Sequence, residues 1–552
     1  MKLTGAELVL ACLKEQEVDK IFGYPGGAVI PLYDALYDQM DHFQHIMTCH
    51  EQGASHGADG YARSTGKVGV CFATSGPGAT NTVTGIATAY LDSVPLVVIT
   101  GQVPANLLGK DSFQEIDITG VTLPITKQNY FVRDIGKLAD VIRDAFEIAR
   151  SGRPGPVLID IPKNVFLEKV TYVKKQRTKE NESFSNEANN NMLMRAANLI
   201  NGSTKPVIYA GGGVILSEAS QELYELATKG NIPVVNTLMG LGNFPREHAL
   251  SLGLVGMHGM KESNMAVCGS DLIIAIGARF SDRVIGVAEE FGAKAKVIHI
   301  DIDQSEIGKN KDVDLWILGD VKKVIVDLCK IIVNKDRSEW LAQIDDWKVK
   351  KIAEEKTFKA KDILQCAWNI LGEDTVVTTE VGQHQMWTAQ HFPFKKPRTF
   401  ITSGGLGTMG YGLGAAIGVQ VGNPNKKVLH IAGDGSFRMN CNELATVSKY
   451  KLPIITLLFN NATLGMVRQW QQMFCNGRYS ETDITGEVNY MKLVEAYGLR
   501  GRQVDKICDL EDALKEAVKT RKATVIECIL SKDDNVFPMV PPGKPINHII
   551  LE

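Results

Sequence analysis

The chain has 552 residues, 44% hydrophobic and 22% charged, with a net charge of -3. At roughly 150–200 residues per domain, that length predicts about three domains, each with its own core. The chain has no basic block beside stacking aromatics and no apolar run near the roughly 20 residues that span a bilayer, which excludes nucleic-acid and transmembrane roles.

Amphipathic patterning begins at Leu3 and Leu8 without a basic leader, which predicts a cytoplasmic setting. The ten cysteines are scattered with no CxxC pair, as expected of reduced structural thiols. Two polar stretches, 174–191 and 335–356, read as connections, the second of them helical. They leave pieces of about 1–166, 192–334 and 360–552.

In the first piece "VGVCFATSG", "PLVVITG" and "PVLIDIP" are continuous apolar runs between amphipathic stretches. Such runs predict strands buried on both faces, in a mostly parallel α/β sheet covered by helices. The segment "TCHEQGASHGADGYAR" (48–63) sets Glu51 ahead of a dense run of Gly, Ala and Ser. Small residues let a helix pack closely, and a carboxylate beside them is desolvated unless a partner bonds it. The middle piece repeats the class with "KPVIYAGGG", "DLIIAIGAR" and "KVIHIDID". Its glycine turn suggests dinucleotide binding, but the third glycine of GxGxxG is absent.

The last piece holds the most specific motif. A strand over 428–432 ends in Gly433-Asp434-Gly435-Ser436, and after a helical stretch a second strand, 454–459, ends in Asn460-Asn461. A strand–helix–strand crossover makes the two strands parallel, so Asp434 and Asn461 leave the sheet at the same edge. Hard oxygen ligands with places left for phosphate oxygens suit Mg²⁺. GDG by itself is as easily an ordinary turn. GDG, 24 residues and NN is a pattern that resembles thiamine diphosphate enzymes.

That resemblance implies that Asp434, Asn461 and the carbonyl of Thr463 hold the metal. It also implies that Glu51, from a separate domain, meets the aminopyrimidine ring of the cofactor. Further stretches narrow the resemblance to the acetohydroxyacid synthase family, catalytic (large) subunit. They are "FGYPGGAVIPLYDAL", "DSFQEID", "TLMGLGNFP", "GLVGMHG", "GARFSDRV", "VGQHQMW" and "NVFPMVPPG", in this order along the chain.

Membership implies decarboxylation of pyruvate and condensation of the hydroxyethyl group with pyruvate or 2-ketobutyrate. The products would be 2-acetolactate or 2-aceto-2-hydroxybutyrate, at the first common step of branched-chain amino acid synthesis. By resemblance Arg283 binds the acceptor carboxylate and Trp470 shapes the pocket for its alkyl group. Met409 would hold the cofactor bent, Gln383 and His384 would bind its diphosphate, and Gly435, Ser436 and Met466 would line it. Gly27, Gln114 and Lys163 would form the mouth of the site. FAD is expected at Arg153, the segment 258–279 with His258 and Arg279, Asp301 and Asp320, in a structural capacity.

Two departures from the family pattern are Asn164 after Lys163 and Ser281 in "GARFSDR", both at positions where acidic residues are common. A homodimer or homotetramer is expected, with a small regulatory subunit. The alternatives are another thiamine diphosphate and FAD enzyme, such as a pyruvate oxidase, or a non-enzymatic nucleotide-binding module.

Overall fold

The computed structural model describes residues 2–175, 187–348, 357–486 and 488–552. Three six-stranded sheets organise it, each parallel throughout, with helices on both faces. This is the α/β class expected from the continuous apolar runs. Most of the 174–191 stretch and the end of 335–356 lie outside the described residues. The helix Glu187–Gly202 starts inside the first of these, where Ala188 is the one apolar residue before Met192 and is too little to reveal a period. The expected helix in the second is Ser338–Trp347, with Trp340 buried.

The first sheet orders its strands Gln44–Met47, Lys20–Gly23, Gly69–Ala73, Leu96–Gln102, Pro156–Pro162 and Gln128–Phe131. Numbered in sequence, that order is 2-1-3-4-6-5. The third sheet has the same order, with strands Phe400–Ile401, Val376–Thr379, Val428–Gly433, Ile455–Asn460, Thr524–Ile529 and Arg500–Val504. The middle sheet, with strands from Pro206–Ala210 to Leu315–Leu318, runs 3-2-1-4-5-6. That order belongs to dinucleotide-binding sheets, whose ligands lie beyond the carboxyl ends where the order reverses.

Strand residues alternate between two cores. Ile21, Val70, Val97 and Val157 face an outer core with the helices Gly5–Glu15 and Ile135–Arg150. Phe22, Cys71, Val98 and Leu158 face a core shared with Ile401, Leu413, Ile417, Val428 and Leu458 of the third unit. The first and third units are thus joined by one continuous core. At its centre the helix Glu51–Thr65 packs on the helix Gly412–Gly422.

Glycines make the approach possible. A Cβ at Gly418 would strike the Gly57 carbonyl, and one at Gly60 the Ala415 carbonyl. The small-residue face of the first helix is thus occupied by the chain's own helix Gly412–Gly422. Beside it Arg63 is buried between Asp59 and Asp92, at 2.6 and 3.0 Å, and Tyr411 donates to Asp59 at 2.5 Å. Among the described residues no helix is long and apolar enough to cross a membrane.

Candidate active site

The motif residues of the third unit converge at the carboxyl edge of its sheet. Strands Val428–Gly433 and Ile455–Asn460 are paired in parallel, with Gly433 opposite Phe459, so Asp434 and Asn461 emerge side by side. Asp434 is buried, and burial pushes its pKa up to about 6, against the pull of the Gly435 and Ala462 N–H groups. Ala462 has a left-handed backbone, with φ of 55°, fixed by its N–H donating to Asn460 Oδ1 at 3.0 Å. This bend turns the chain sharply after Asn461.

The Asn461 Nδ2 donates to Gln383 Oε1 at 3.2 Å, which leaves its Oδ1 for a ligand. Thr463 donates its hydroxyl to the Thr482 carbonyl at 2.7 Å, and no described backbone N–H donates to the Thr463 carbonyl. A carboxylate, an amide oxygen and a carbonyl oxygen at one edge suit a hard cation such as Mg²⁺. Among the described residues no cluster of three or more His, Cys, Asp or Glu could hold a metal. With a single acid, this set would need further oxygens from a ligand to complete a metal's shell.

Gln383 and His384 open the helix Gln383–His391 on the neighbouring strand's end. His384 is buried, its pKa is pushed down to about 4 by burial, and its Nε2 has no partner. Glycines bracket its ring: a Cβ at Gly433 would stand 2.7 Å from Nδ1 and one at Gly382 2.9 Å from Cε1. A neutral imidazole with an orphaned nitrogen, beside a helix N-terminus, is suited to a phosphate oxygen. Gln383 is more committed, since its Nε2 donates to Gln469 Oε1 and the Asp534 carbonyl at 3.0 and 3.1 Å.

Ser436 lies in the short helix Asp434–Phe437. Its hydroxyl donates to Glu380 at 2.9 Å and accepts the Gly410 N–H at 3.1 Å, so only its backbone remains for a cofactor. Gly435 lies in the same turn, where a Cβ would press on Leu464. The Gly410 carbonyl accepts Asn440 Nδ2 at 2.6 Å, which fixes the chain directly after the half-buried Met409. Met466 packs against the outer core of the third sheet.

The first unit contributes residues at the equivalent edge of its own sheet. Glu51 begins its helix, is 8% exposed, and accepts one hydrogen bond, from Asn81 Nδ2 at 2.9 Å. Gly27 opens a short 3-10 turn where a Cβ meets no atom within 4 Å, so the chain's own packing does not require a glycine there. Gln114 has a left-handed φ of 62° and packs on Gly76. Lys163 starts the helix Lys163–Leu167, and Asn164 bonds the Ala105 N–H at 2.9 Å and Glu168 at 2.8 Å. Among the described residues, no hydrogen bond or ion pair joins Glu51 to Asp434 or Asn461 within the chain.

A cavity of about 1140 Å³ opens where the three units meet, lined by Arg153, Arg279, Arg283, Asp301 and Asp320. It sits at the switch point of the middle sheet. There the turns after Ala210 and Ile276 are so close that a Cβ at Gly211 would strike the Gly277 carbonyl. Burial pushes Asp301 up to about 6. Arg153 bridges Asp303 and Glu306, at 3.2 and 2.7 Å, and Asp320 accepts from Ser217 at 2.7 Å.

His258, expected beside FAD, does not line this cavity. Its segment is held under the C-terminal strap by the Val540 N–H donating to the Met257 carbonyl at 2.7 Å. Its own carbonyl accepts Gln390 Nε2 at 3.0 Å. Sequence reasoning missed Leu91–Ser93 and Gly404–Gly407, which complete the wall from the outer units. No motif marked them, although the glycine density of 404–407 was a signal. The Arg283 guanidinium carbon lies 5.9 Å from the Trp470 ring centroid, bringing together two residues 187 positions apart in the sequence.

Comparison with known proteins agrees with this geometry. Residues 3–121, 193–328 and 380–528 match the N-terminal TPP binding, central and C-terminal TPP binding domains of thiamine pyrophosphate enzymes. The chain is 45% identical to a probable acetolactate synthase large subunit of Methanocaldococcus jannaschii, over 99% of this chain and 95% of that protein. It is 46% identical to an acetolactate synthase large subunit of Porphyra purpurea, over 98% and 94%. To an acetolactate synthase of Arthrospira platensis it is 44% identical, over 98% and 96%. Three matched domains in order, and identity of this level over nearly the whole length, show that the chain belongs to the acetolactate synthase large-subunit family of thiamine pyrophosphate enzymes.

Proposed function

We propose that the chain is the catalytic subunit of an acetohydroxyacid synthase. It would release CO₂ from one pyruvate and join the remaining two-carbon unit to the ketone carbon of a second 2-ketoacid. Pyruvate as acceptor gives 2-acetolactate and 2-ketobutyrate gives 2-aceto-2-hydroxybutyrate. The observation that carries the reading is the oxygen set of Asp434, Asn461 and Thr463 beside the neutral, orphaned His384, in a chain of this family.

Thiamine diphosphate, when bound, supplies the nucleophilic carbon and the electron sink. Asp434 Oδ, Asn461 Oδ1 and the Thr463 carbonyl would hold Mg²⁺ against its diphosphate. His384 and the N–H groups after Gly433 would bind phosphate oxygens. Met409, Met466 and Gly435 would shape the cofactor's bed.

Glu51 would exchange a proton with the aminopyrimidine nitrogen, a contact its single protein hydrogen bond leaves room for. Glu51 and Asp434 lie in different units, and by the family resemblance each site would take Glu51 from one chain and the metal turn from another. A homodimer is then the smallest active unit, with Gly27, Gln114 and Lys163 at the mouth of each site. Arg283 is exposed at 64% and placed over Trp470; it would orient the acceptor carboxylate while the indole contacts its alkyl group.

FAD would occupy the cavity between the units, with Arg153, Arg279, Asp301 and Asp320 around it, in a structural capacity. The relatives are described as large subunits, which supports a small regulatory partner. The free cysteines favour a cytoplasmic setting.

The test is a competition assay with pyruvate and 2-ketobutyrate, with and without added FAD, under anaerobic conditions. Both acetohydroxyacids should form while the flavin stays oxidised. Stoichiometric flavin reduction coupled to turnover would replace this reading with that of an oxidase.

A further inference from the structure

We propose that Glu443 is a positioning residue for Glu51, holding from the third unit the backbone of the two residues that precede it. The proposal rests on the role of Glu51 in the reaction proposed above. The strand Gln44–Met47 is an edge of the first sheet, with its other side paired to Lys20–Gly23. An edge strand leaves every second N–H unpaired on its outer side. Here the outer N–H groups of Met47 and Cys49 are both taken by side chains of the third unit.

Tyr450 Oη accepts the Met47 N–H at 2.8 Å and donates to the His45 carbonyl at 3.3 Å. Glu443 accepts the Cys49 N–H on both oxygens at 3.1 Å and the His50 N–H on Oε1 at 3.1 Å. Its Oε2 is further fixed by the Thr446 hydroxyl at 2.6 Å. The carboxylate is fully buried and lies at the N-terminus of the helix that Glu51 opens, where a negative charge is favourable.

Gly53 makes room for it, since a Cβ there would strike Glu443 Oε1. The residue before Glu51, His50, caps the helix by accepting the Gln52 N–H on Nδ1 at 3.1 Å. Glu51 therefore leaves a segment whose backbone is pinned at the N–H groups of Met47, Cys49 and His50 by another domain. A carboxylate that must meet one ring nitrogen needs its Cα fixed to within a fraction of an ångström. Glu443 supplies that without touching any reacting atom.

The test is a double-mutant cycle on the full-length protein loaded with thiamine diphosphate, Mg²⁺ and FAD, using Glu51→Gln, Glu443→Gln and the pair. Glu443→Gln should lower kcat by about 10–100-fold with KM for pyruvate changed less than about twofold. In the Glu51→Gln background it should cause no further loss. Independently of turnover, hydrogen–deuterium exchange on the unloaded protein should quicken at the amides of residues 49–50 and not across the distant middle sheet.

Losses that multiply in the double variant, or an unchanged kcat while Glu51→Gln is inactive, overturn the positioning role and leave the reaction standing. Full activity of Glu51→Gln removes the reaction assignment and the proposal with it. Where Glu443→Gln does not fold, Tyr450→Phe deletes only a hydroxyl and enters the same cycle, with exchange read at the Met47 amide. A severalfold loss confined to the Glu51 background supports the clamp, and equal losses in both backgrounds overturn it.

Discussion

The first and third units share one strand order, 2-1-3-4-6-5, yet carry different chemistry at the same edge. After the edge strand, each has a helix: one opens with Glu51, the other with Gly412. After the third strand, the first unit turns through Gly76-Pro77-Gly78 and the third through Gly433-Asp434-Gly435. The proline turn carries no ligand but leads to Asn81, the partner of Glu51. The aspartate turn places a carboxylate at the sheet edge.

On the sixth strand of each of these two sheets a buried carboxyl is bonded from the strand beside it, Asp160 by Thr100 and Gln102, and Glu527 by Asn460. In the proposed site one architecture would supply an acid in one copy and metal ligands in the other, through the residues that follow the strands. The equivalent helices then pack on each other, which makes the pair a single body.

The comparison is broken most sharply at Glu51. Glu51→Gln should lower kcat by about 10²–10⁴-fold with the fold intact, as read by steady-state kinetics and circular dichroism. An unchanged rate would leave the first unit without its chemical role.

Asp160 tests whether the paired buried carboxyls have the same cost. Burial pushes it to about 7, outweighing its hydrogen bonds from Thr100 and Gln102. A raised acid keeps its proton in the folded state while the unfolded chain ionises. Stability is therefore full below about pH 4 and falls as pH rises to about 7, by on the order of 4 kcal/mol. Asp160→Asn should remove that slope; urea denaturation at pH 5 and pH 8 would read it, and a slope as steep as in the parent would contradict the assignment.

Gly418→Val would drive a side chain into the Gly57 carbonyl and part the two helices. Overpacking of this kind should cost about 2–3 kcal/mol. A denaturation midpoint equal to that of the parent would show that the helix pair does not hold the units together.

Trp470→Leu bears on the middle unit's share of the site, through Arg283. It should shift the preference between 2-ketobutyrate and pyruvate by about 1–3 kcal/mol, read from product ratios in mixed substrate. A constant ratio would detach Trp470 from acceptor choice.

The sequence by itself determined the α/β class, the motif strands and the residues at their ends. Apolar runs report burial on both faces, and crossover connections enforce parallel pairing. Asp434 and Asn461 were legible for that reason, since 24 residues of crossover leave them at one edge. Only the tertiary structure decided which side chains are free to act. It placed His258 under the C-terminal strap instead of on the cavity wall, and committed the Ser436 hydroxyl to Glu380.

The tertiary structure also turned the glycine face of the Glu51 helix onto the chain's own second helix, and set Glu443 against Cys49 and His50. Contacts between residues nearly 400 positions apart leave no period and no spacing in the sequence. They arise when two like sheets bury their facing sides in one core, and their partners are known only once that core is packed.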